Sequence, residues 1–423
     1  MPMQVHAYGL TDVGRKRQGN EDSYVIDAAH GIYIVCDGMG GHNAGEVASA
    51  RAIEVVSKYV VDHYDEMRRL VADPSPQTSQ IAQGLVEAAV QTACADIYRQ
   101  AQADPAKRGM GTTFVGLFVA GDKAIIGHVG DSRIYLLRQG QAHRLTEDHT
   151  LIAAQLKAGT ITKAEASKSP YRNVITRAVG IQESVQVDTL AMDLLPGDLL
   201  MLCSDGLHGY MTDEETPVLL GAAAWEQLPK KLIELANSRG GKDNITAIVV
   251  GVGGEPSQEA SAEAAAKMDA LKAIPLFQHL TYKELTAVLA ISSTRTFPGS
   301  REIVTEGQPG DELFVVVRGR VAVEKAGVTI GELKIGGHFG EMGLIDNAPR
   351  SATVRSTEPT RVMVIARAEL MALMRKEPVL AVKLLWSFLQ VLSDRLRDAN
   401  MKVSQVMQEL AIAQAVQPFS EED

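Results

Sequence analysis

Cysteine is scarce in this sequence. The chain of 423 residues contains 3 cysteines, Cys36, Cys94 and Cys203, and their separation does not suit a metal site. Cys36 and Cys203 lie within apolar, strand-like segments, where a small buried hydrophobic residue is the ordinary interpretation. We therefore expect a reducing, cytoplasmic compartment.

Long apolar runs and positive charge are also lacking. Charged or turn residues such as Pro196, Gly197 and Asp198 interrupt the longest apolar segments before they reach the length of a membrane span. The N-terminus has no basic region followed by an apolar stretch, so secretion is not expected. A formal net charge of −10 argues against nucleic acid or an anionic membrane as the main partner.

The composition is that of a globular protein with more than one domain. It is 45% hydrophobic and 22% charged, as in ordinary folded proteins, and its length exceeds what one hydrophobic core usually supports. Turn residues cluster at 253–257, and an alanine-rich helix is predicted after them. The predicted divisions are a first domain at 1–253, a linker and helix at 254–273, a second domain at 274–376, and a long helix at 377–423.

The first domain alternates short β runs with helical segments. Its pattern predicts strands at 32–36, 113–119, 124–129, 134–138, 199–203 and 245–250. Apolar spacing with the helical period predicts helices at 46–64, 81–102 and 225–238. Because the strands outnumber the crossover helices, we expect an α+β fold in which an antiparallel β-sandwich is flanked by helices, and not a doubly wound parallel sheet.

The second domain has a different sequence pattern. Short valine-rich runs separated by glycines predict strands at 313–317, 320–324, 351–354 and 361–365, which favours a small antiparallel barrel or jelly roll. A long helix at 379–416 follows, with apolar residues in alternating steps of four and three, as in a coiled coil. The seam consists of Leu385, Leu389, Leu392, Leu396, Ala399, Val403, Val406, Leu410 and Ala413. Packing on its own domain explains the first turns equally well, but past Met401 we favour a homodimer.

Four aspartates stand at the ends of apolar runs: Asp37, Asp131, Asp205 and Asp243. Any one of them alone would be explained as a turn or cap residue. Together, at strand ends, they would meet at one rim of a sheet and repel each other unless cations lay between them. Oxygen ligands select hard metals, so Mg²⁺ or Mn²⁺ is expected and Zn²⁺ is not.

Two hard cations at such a rim have a chemical use. A water that they hold has its pKa lowered from about 15.7 toward about 7 and can then attack phosphorus without a protein nucleophile. An arginine would be needed to hold the phosphate oxygens by a two-pronged contact. Arg17, just before Asn20, Glu21 and Asp22, is the candidate.

Six short motifs make the interpretation specific. They occur in the order Arg17-Gln-Gly-Asn20-Glu21-Asp22-Ser23, Asp37-Gly38-Met39-Gly40-Gly41-His42, Gly111-Thr112-Thr113, Gly130-Asp131-Ser132-Arg133, Ser204-Asp205-Gly206-Leu207 and Asp243-Asn244. In this order and spacing they closely resemble the metal-dependent protein phosphatases of type 2C in their bacterial form, over about residues 5–252. The resemblance implies hydrolysis of phosphoserine and phosphothreonine on proteins.

The resemblance also implies a ligand set for two Mn²⁺ or Mg²⁺ ions, with a weaker third site. By this likeness Asp37 bridges both metals, the Gly38 carbonyl binds one of them, and Asp205 and Asp243 complete the second. The remaining roles implied are metal-bound waters on Glu21 and Asp22, the substrate phosphate on Arg17, and a third metal on Asp131 with Asp205.

Two departures from the family pattern are visible. Met39 stands where some relatives carry a histidine proposed as the general acid, and His42 is better explained as a surface or capping residue, so the acid stays unassigned. Residues 148–180 resemble the mobile flap that borders the cleft, but Ser169-Pro170 replaces the usual His-Pro. His149 and His208 are expected to pack or to support ligands.

Residues 336–354 are the most informative segment of the second half. A glycine-rich start lets the backbone approach a ligand, and the following residues suit one helical turn whose free N–H groups favour an anion. Arg350 could neutralise that anion, and Glu341 could accept from a ribose hydroxyl. A surface loop with an incidental Glu–Arg pair is the alternative.

The whole segment is similar to the phosphate-binding cassette of cyclic-nucleotide-binding domains, with a likeness that extends over about residues 274–376. The likeness implies that Glu341 binds the ribose hydroxyl and that Arg350 binds the cyclic phosphate, helped by Gly340 and Ser351. A hydroxyl at Ser351 occurs in binders of cAMP and can favour cGMP, so both nucleotides stay open.

The favoured hypothesis is a phosphatase whose activity is set by cyclic nucleotide, in a direction that the sequence does not indicate. One alternative is a second domain that binds no nucleotide and only dimerises or docks. Another is a nucleotide-responsive transcription regulator. That class should carry a basic helix-turn-helix after the long helix, whereas this sequence ends in Glu421, Glu422 and Asp423.

Overall fold

The computed structural model describes residues 3–40, 44–73, 75–172, 174–254, 258–344 and 349–415. The chain divides into two compact units, Met1–Ala265 with Thr286–Ser293, and Ala266–Leu285 with Thr294–Asp423. The four-part division stays a prediction, and residues 255–257 of the predicted linker lie outside the described residues.

The first unit contains two antiparallel sheets. Its strands are β1 (Gln4–Asp12), β2 (Asp22–Asp27), β3 (Ile32–Met39), β4 (Gly111–Thr112), β5 (Phe114–Ala120), β6 (Lys123–Val129), β7 (Arg133–Arg138), β8 (Gln141–Arg144), β9 (Asp188–Asp193), β10 (Leu199–Cys203) and β11 (Ile245–Gly253). One sheet has the order β1-β11-β10-β7-β8 and the other β2-β3-β5-β6-β9, with β4 paired to β3. The predicted antiparallel sandwich is confirmed.

Helices accompany these sheets. They are α1 (Ala44–Asp62), α2 (Tyr64–Ala72), α3 (Pro76–Ala103), α4 (Leu151–Lys157), α5 (Lys163–Lys168), α6 (Asp205–His208), α7 (Thr216–Gly221), α8 (Leu228–Ser238) and, after the sandwich, α9 (Gln258–Ala273). The helix predicted at 46–64 is interrupted at His63, and the start of the one predicted at 225–238 is a 3-10 turn, Trp225–Gln227.

Both faces of the central strands are covered. On β3, Ile32, Ile34 and Cys36 belong to the core that includes side chains of α1 and α3, while Tyr33 and Val35 are equally buried on the opposite face. β11 of the other sheet packs against β2 and β3. Continuous apolar runs are expected where a strand is covered on both sides.

The strand register collects the motif residues at one rim. Asp22 at the start of β2 lies opposite Asp37 near the end of β3. In the other sheet, Cys203 at the end of β10 pairs with Ala247 near the start of β11, so the residues that follow β10 and those that precede β11 lie at the same edge. Antiparallel pairing therefore brings together segments that are far apart in the sequence.

The second unit is built on two four-stranded sheets. Its strands are β12 (Ser292–Phe297), β13 (Glu302–Val304), β14 (Glu312–Arg318), β15 (Val321–Lys325), β16 (Val328–Leu333), β17 (His338–Phe339), β18 (Thr353–Ser356) and β19 (Thr360–Ala366), and its helices are α11 (Arg367–Lys376) and α12 (Pro378–Ala415). The division between the two units falls within the preceding helix, α10 (Tyr282–Ala290), and again near the start of β12. The sheet orders are β12-β19-β14-β17 and β13-β18-β15-β16, and β13 to β19 pair in antiparallel fashion. Phe314, Val316, Phe339, Val354 and Val364 are buried in its core, and the predicted antiparallel β fold is confirmed.

The C-terminal helix α12 covers 38 residues. Leu380 and Leu384 are buried near its start. The seam residues, in contrast, are exposed in the single chain: Leu385, Leu389, Leu392, Leu396, Val403 and Val406. The side chains of Ala399, Leu410 and Ala413 and all of residue 416 lie outside the described residues. Where the chain is described, none of its helices is both long enough and apolar enough to cross a membrane.

Candidate metal centre and nucleotide site

Asp37 is held firmly at the rim by its own backbone. Its N–H donates to Thr113 Oγ1 at 2.9 Å, and its carbonyl accepts from Thr113 N at 2.9 Å and from Thr112 Oγ1 at 2.9 Å. Three bonds to two adjacent threonines leave the side chain as the part that can meet a ligand. The Gly-Thr-Thr motif therefore positions this aspartate.

The other predicted carboxylates surround Asp37. The pKa of Asp37 is raised well above its ordinary value, first by loss of contact with water and then by the negative charges of Asp22, Asp205, Asp131 and Asp243. Asp205 shares a hydrogen bond with the Asp37 carboxyl, and its own pKa is raised by burial and by Asp243. The structure therefore gathers the aspartates that the sequence predicted to meet.

Two of these carboxyls are deeply buried. Burial raises the pKa of Asp131 to about 7, helped by the charges of Asp205 and Asp148. Burial also raises the pKa of Asp22 to about 6, although Asp22 Oδ2 accepts from Thr246 Oγ1 at 2.6 Å and from Ser204 Oγ at 2.8 Å. Through those bonds Asp22 of one sheet is tied to the ends of β10 and β11 in the other.

The donor set fits hard divalent cations. Among the described residues, Asp22 Oδ1, Asp131 Oδ1 and Asp205 Oδ1 are buried carboxylate oxygens without a hydrogen-bond donor. Burying a charged oxygen without compensation is strongly unfavourable, so each of these oxygens must be neutralised by a proton or by a cation. Mg²⁺ and Mn²⁺ prefer such oxygen ligands, so the residues present suit these ions.

Glu21 lies where α1 begins. The Gly45 N–H bonds its carboxylate, while partial burial is the larger effect and raises the pKa of Glu21. A Cβ at Gly45 would lie 2.6 Å from Glu21 Oε1, and one at Gly38 would lie 2.1 Å from Gly45 O. Only glycines allow β3 and α1 to approach so closely. Gly41 and His42 of the same motif lie outside the described residues.

Arg17 reaches the rim through an ion pair. Its Nη2 donates to Asp243 Oδ2 at 2.8 Å, and its side chain is 49% exposed, so a ligand that approaches the rim from solvent can reach it. Asp243 and also Glu21 and Asp37 raise the pKa of Arg17. The guanidinium is therefore a permanent cation at the mouth of an acidic site.

Asn244 was given no role from the sequence, yet it organises this corner. Its Nδ2 donates to Val13 O at 3.0 Å and to Gly19 O at 2.9 Å, and its Oδ1 accepts from Glu21 N at 2.9 Å. It thus holds the loop that carries Arg17 and Glu21 against Asp243. The Asp243-Asn244 pair was the available signal.

Residues 148–180, the segment predicted to form a flap and called the flap segment below, are bonded to the rim at both ends. Val179 and Thr112 exchange backbone hydrogen bonds of 2.8 and 3.0 Å. At the start of the segment, His149 exchanges hydrogen bonds with Gly130. Residue 173 in its middle lies outside the described residues. Both anchoring points adjoin predicted ligands, since Thr112 bonds Asp37 and Gly130 precedes Asp131.

A second cluster has residue types found in metal sites. Ligand atoms of His128, His149 and Asp188 lie within 4.8 Å of one another. Arg177 Nη1, however, lies 2.9 Å from Asp188 Oδ1 and 3.1 Å from His149 Nε2, so a cation is already there. His149 Nδ1 is also engaged, since it accepts from Gly130 N at 3.0 Å. The guanidinium balances the charge of this cluster.

In the second unit, Arg350 is enclosed by backbone and an aromatic ring. Its guanidinium donates to Gly340 O at 3.2 Å and to Glu312 O at 3.0 Å and lies 5.7 Å from the centre of the Phe314 ring. Desolvation lowers the pKa of Arg350, while the nearby acidic residues, Glu341 among them, oppose that shift. The arginine therefore stays charged, next to the start of the 3-10 turn Glu341–Leu344.

Glycines make room for that arginine. A Cβ at Gly310 would lie 2.3 Å from Arg350 Nε, and one at Gly340 would lie 2.5 Å from Arg350 Nη1. Gly340 also has a φ of +83°, which disfavours other residues. Ser351 is exposed, and residues 345–348 of the predicted cassette lie outside the described residues. The structure thus brings together Gly340, Glu341 and Arg350.

Comparison with known proteins finds one family for each part of the chain. Residues 14–248 match the family Protein phosphatase 2C, and residues 294–377 match the family Cyclic nucleotide-binding domain. The chain is 36% identical over 250 residues to the serine/threonine phosphatase Stp of Listeria innocua, an alignment covering 58% of this chain and 95% of that protein. It is 35% identical over 253 residues to the protein phosphatase PhpP of Streptococcus pneumoniae, covering 59% and 98%.

Solved structures show the same likeness. The serine/threonine phosphatase PstP of Mycobacterium tuberculosis superposes with a TM-score of 0.51 at 33% identity, covering 60% of this chain and 100% of that one. A PstP catalytic domain in complex with 2 manganese ions gives a TM-score of 0.51 at 32% identity, covering 60% and 100%. This chain therefore belongs to the protein phosphatase 2C family of metal-dependent serine/threonine phosphatases and carries a cyclic nucleotide-binding domain in its second half.

Proposed function

We propose that the first unit hydrolyses phosphoserine and phosphothreonine in proteins with two Mn²⁺ or Mg²⁺ ions bound at the acidic rim. Asp37, the Gly38 carbonyl, Asp205 and Asp243 hold the pair, and Glu21 and Asp22 hold waters around it. Asp131 with Asp205 forms a weaker third site. When bound, the cations supply the acidity that makes water a nucleophile toward phosphorus.

The observation that carries this proposal is the position of Asp37 among four other aspartates, with buried carboxylate oxygens that lack donors. The negative charge of such a rim must be offset by protons or by cations, and its oxygens suit hard ions. Arg17 binds the phosphate from the open side, because its planar fork matches two phosphate oxygens.

The test is Mn²⁺-dependent release of phosphate from an aryl phosphate and from a phosphothreonine peptide. Asp37→Ala and Asp205→Ala should each lower kcat by about a hundredfold or more, because each removes a charge that holds the cations. Asp62→Ala is the matched control, since Asp62 lies at the far end of α1 in an exposed pair with Lys58. Wild-type rates in either rim variant would contradict the proposal.

We further propose that cAMP or cGMP binds the second unit and changes the phosphatase rate. The enclosed, charged Arg350 beside Glu341 supports a site for a cyclic phosphate and a ribose. Coupling between two sites is typically about 1–3 kcal/mol, which is about a 5- to 150-fold effect. Calorimetry with both nucleotides, and phosphatase assays with and without them, test the proposal on the wild type and Arg350→Ala. Absence of binding heat in the wild type would leave the unit a docking or dimerising role.

Dimerisation through α12 is a separate proposal, and the second copy of this chain is the partner. Its support is the row of exposed leucines and valines at coiled-coil spacing, with Leu389 62% and Leu396 63% exposed. A surface helix with such a seam gains stability by pairing with an identical seam. We therefore expect the phosphatase to act as a homodimer.

A further inference from the structure

His149 joins the start of the flap segment to the turn that carries Asp131. The backbone N–H of His149 donates to Gly130 O at 2.8 Å, and the ring Nδ1 accepts from Gly130 N at 3.0 Å. His149 is 8% exposed, so water cannot readily replace either bond. A mutual pair of buried bonds at one residue determines where that residue lies.

The surroundings determine the tautomer of His149. Because Nδ1 accepts a hydrogen bond from a backbone N–H, the neutral ring carries its proton on Nε2. Nε2 lies 3.4 Å from Asp188 Oδ2 and 3.1 Å from Arg177 Nη1, which donates to Asp188 Oδ1 at 2.9 Å. With Nε2 protonated, the ring and the guanidinium are both donors beside the same carboxylate, and their contact with each other is not a hydrogen bond. The carboxylate therefore orients the ring, and the arginine of the flap segment balances the charge of that carboxylate.

The turn itself has little freedom to adjust. Gly130 has a φ of +105°, and a Cβ there would lie 2.8 Å from Thr113 Cβ. On the far side of the turn, His208 donates from Nε2 to Asp131 O at 2.9 Å. Asp131 is thus held on both sides by histidines, and one of them belongs to the flap segment.

We propose that His149 is a positioning residue for metal binding: its Nδ1 holds the Gly130–Asp131 turn so that the Asp131 carboxylate faces the metal site. The flap segment and the third metal site are then physically connected. The backbone of His149 is part of the flap segment, and its ring supports the turn that carries Asp131. The inference rests on the proposed role of Asp131 as a ligand.

Two amide variants separate this role from mere filling of space. In His149→Asn the side-chain oxygen reaches the position of Nδ1 and can still accept from Gly130 N–H, whereas in His149→Gln it reaches only the position of Nε2. Both variants are polar and close in size. They should differ only if the acceptor at the Nδ1 position matters.

The first measurement is hydrogen exchange of the Gly130 amide in the metal-free, full-length protein. We expect exchange about tenfold faster in His149→Gln than in the wild type, because a buried hydrogen bond is lost, and within about threefold of the wild type in His149→Asn. Equal protection in the two variants would overturn the positioning role, whatever the metals do.

The second measurement is Mn²⁺ calorimetry on the same proteins and on Asp131→Ala. His149→Gln should weaken the third, weaker binding event about tenfold, as expected for a misplaced ligand, and leave the two tighter events unchanged; His149→Asn should retain all three. If Asp131→Ala keeps every event, the ligand role of Asp131 fails while the exchange experiment still decides the positioning. A binding event that survives in Asp131→Ala and vanishes in both His149 variants would instead reveal a metal at the histidine cluster and overturn the inference.

Discussion

Arg17 and Asp243 form an ion pair of 2.8 Å although 226 residues separate them in the chain. The residue proposed to bind the phosphate is thereby prepositioned by a residue proposed to bind a metal. A phosphate that enters the cleft meets a guanidinium whose orientation has already been restricted, which lowers the entropic cost of binding.

We therefore expect Arg17→Ala to lower kcat/KM for a phosphothreonine peptide by about 10- to 100-fold, since charged hydrogen bonds contribute about 1.5–3 kcal/mol. The kcat/KM of Arg17→Lys should lie between those of the wild type and Arg17→Ala, because lysine keeps the positive charge but cannot make the two-pronged contact. Lys16→Ala, an exposed cation one residue away, is the control. Equal rates for Arg17→Ala and Lys16→Ala would show that the arginine does not hold substrate.

The raised pKa values at the rim predict how metal and pH act together. The folded-state pKa of Asp131 is about 7 and that of Asp22 about 6, against an ordinary 3.8. A carboxyl whose pKa is raised in the folded state stabilises the fold below its unfolded pKa and loses that contribution as pH rises through the folded pKa. The metal-free protein should therefore lose stability as pH rises from about 4 to about 7.

Mn²⁺ should restore the lost stability, because the bound cation neutralises the rim carboxylates in place of the protons. The measurement is thermal unfolding with chelator or with Mn²⁺ at several pH values, and the rise in Tm caused by Mn²⁺ should grow with pH. Asp131→Asn should reduce that pH dependence, since an amide does not titrate. A metal-induced shift that is constant from pH 5.5 to 8 would contradict the acidic rim as its cause.

Arg133 and Asp148 make a two-pronged, largely buried ion pair, with distances of 2.8 and 2.6 Å and with 17% and 14% of the two side chains exposed. Burial alone would raise the pKa of Asp148, but Arg133 lowers it to about 2. Asp148→Ala leaves the arginine unpaired and should destabilise the first unit by about 3–5 kcal/mol. The double change Arg133→Met with Asp148→Leu should cost less than Asp148→Ala alone.

The free energy of unfolding of these variants can be measured by the fluorescence of Trp225 during urea unfolding. A Trp386→Phe background ensures that the signal comes from the first unit. Because the pKa of Asp148 is depressed, its contribution is present above the unfolded pKa of about 3.9 and is lost as pH falls toward 2. A double variant less stable than the single one would contradict the assignment of the loss to an unpaired charge.

The glycines around Arg350 predict a steric test of the nucleotide site. Gly310→Ala places a methyl group 2.3 Å from Arg350 Nε, so the arginine must move and nucleotide affinity should fall about tenfold or more, as for a lost charged contact. Gly331→Ala is the control, because nothing lies within 4 Å of its Cβ. Calorimetry with cAMP and with cGMP measures the affinity. Equal affinities in the two variants would contradict Arg350 as the phosphate ligand.

The exposed seam of α12 predicts a concentration-dependent dimer. Leu389→Glu combined with Leu396→Glu should give monomers in analytical ultracentrifugation, because like charges would face each other across the seam. Gln408→Glu, on the opposite side of the heptad, should remain dimeric. A wild-type protein that sediments as a monomer at micromolar concentration would rule out the seam as a dimer interface.

Much of this protein could be predicted from local patterns. The strands around Ile34, Val115, Ile126, Leu202 and Val249 are continuous apolar runs, and the motif aspartates follow or precede them directly, so both the sandwich and the acidic rim could be anticipated. Short or less apolar elements such as β1, β9 and α7 were not predicted, because their sequence patterns are weak and their stability comes from packing against neighbouring elements.

The sequence by itself determined the chemistry: the motifs place aspartates at strand ends, and glycines where backbones approach ligands, because those properties belong to single residues and their immediate neighbours. Only the tertiary structure decided which residues support that chemistry. Asn244 bonding the loop before Glu21, His149 supporting Gly130, and Arg350 bonded to Glu312 O are long-range contacts. Such contacts depend on how sheets and loops pack, and no local pattern encodes them.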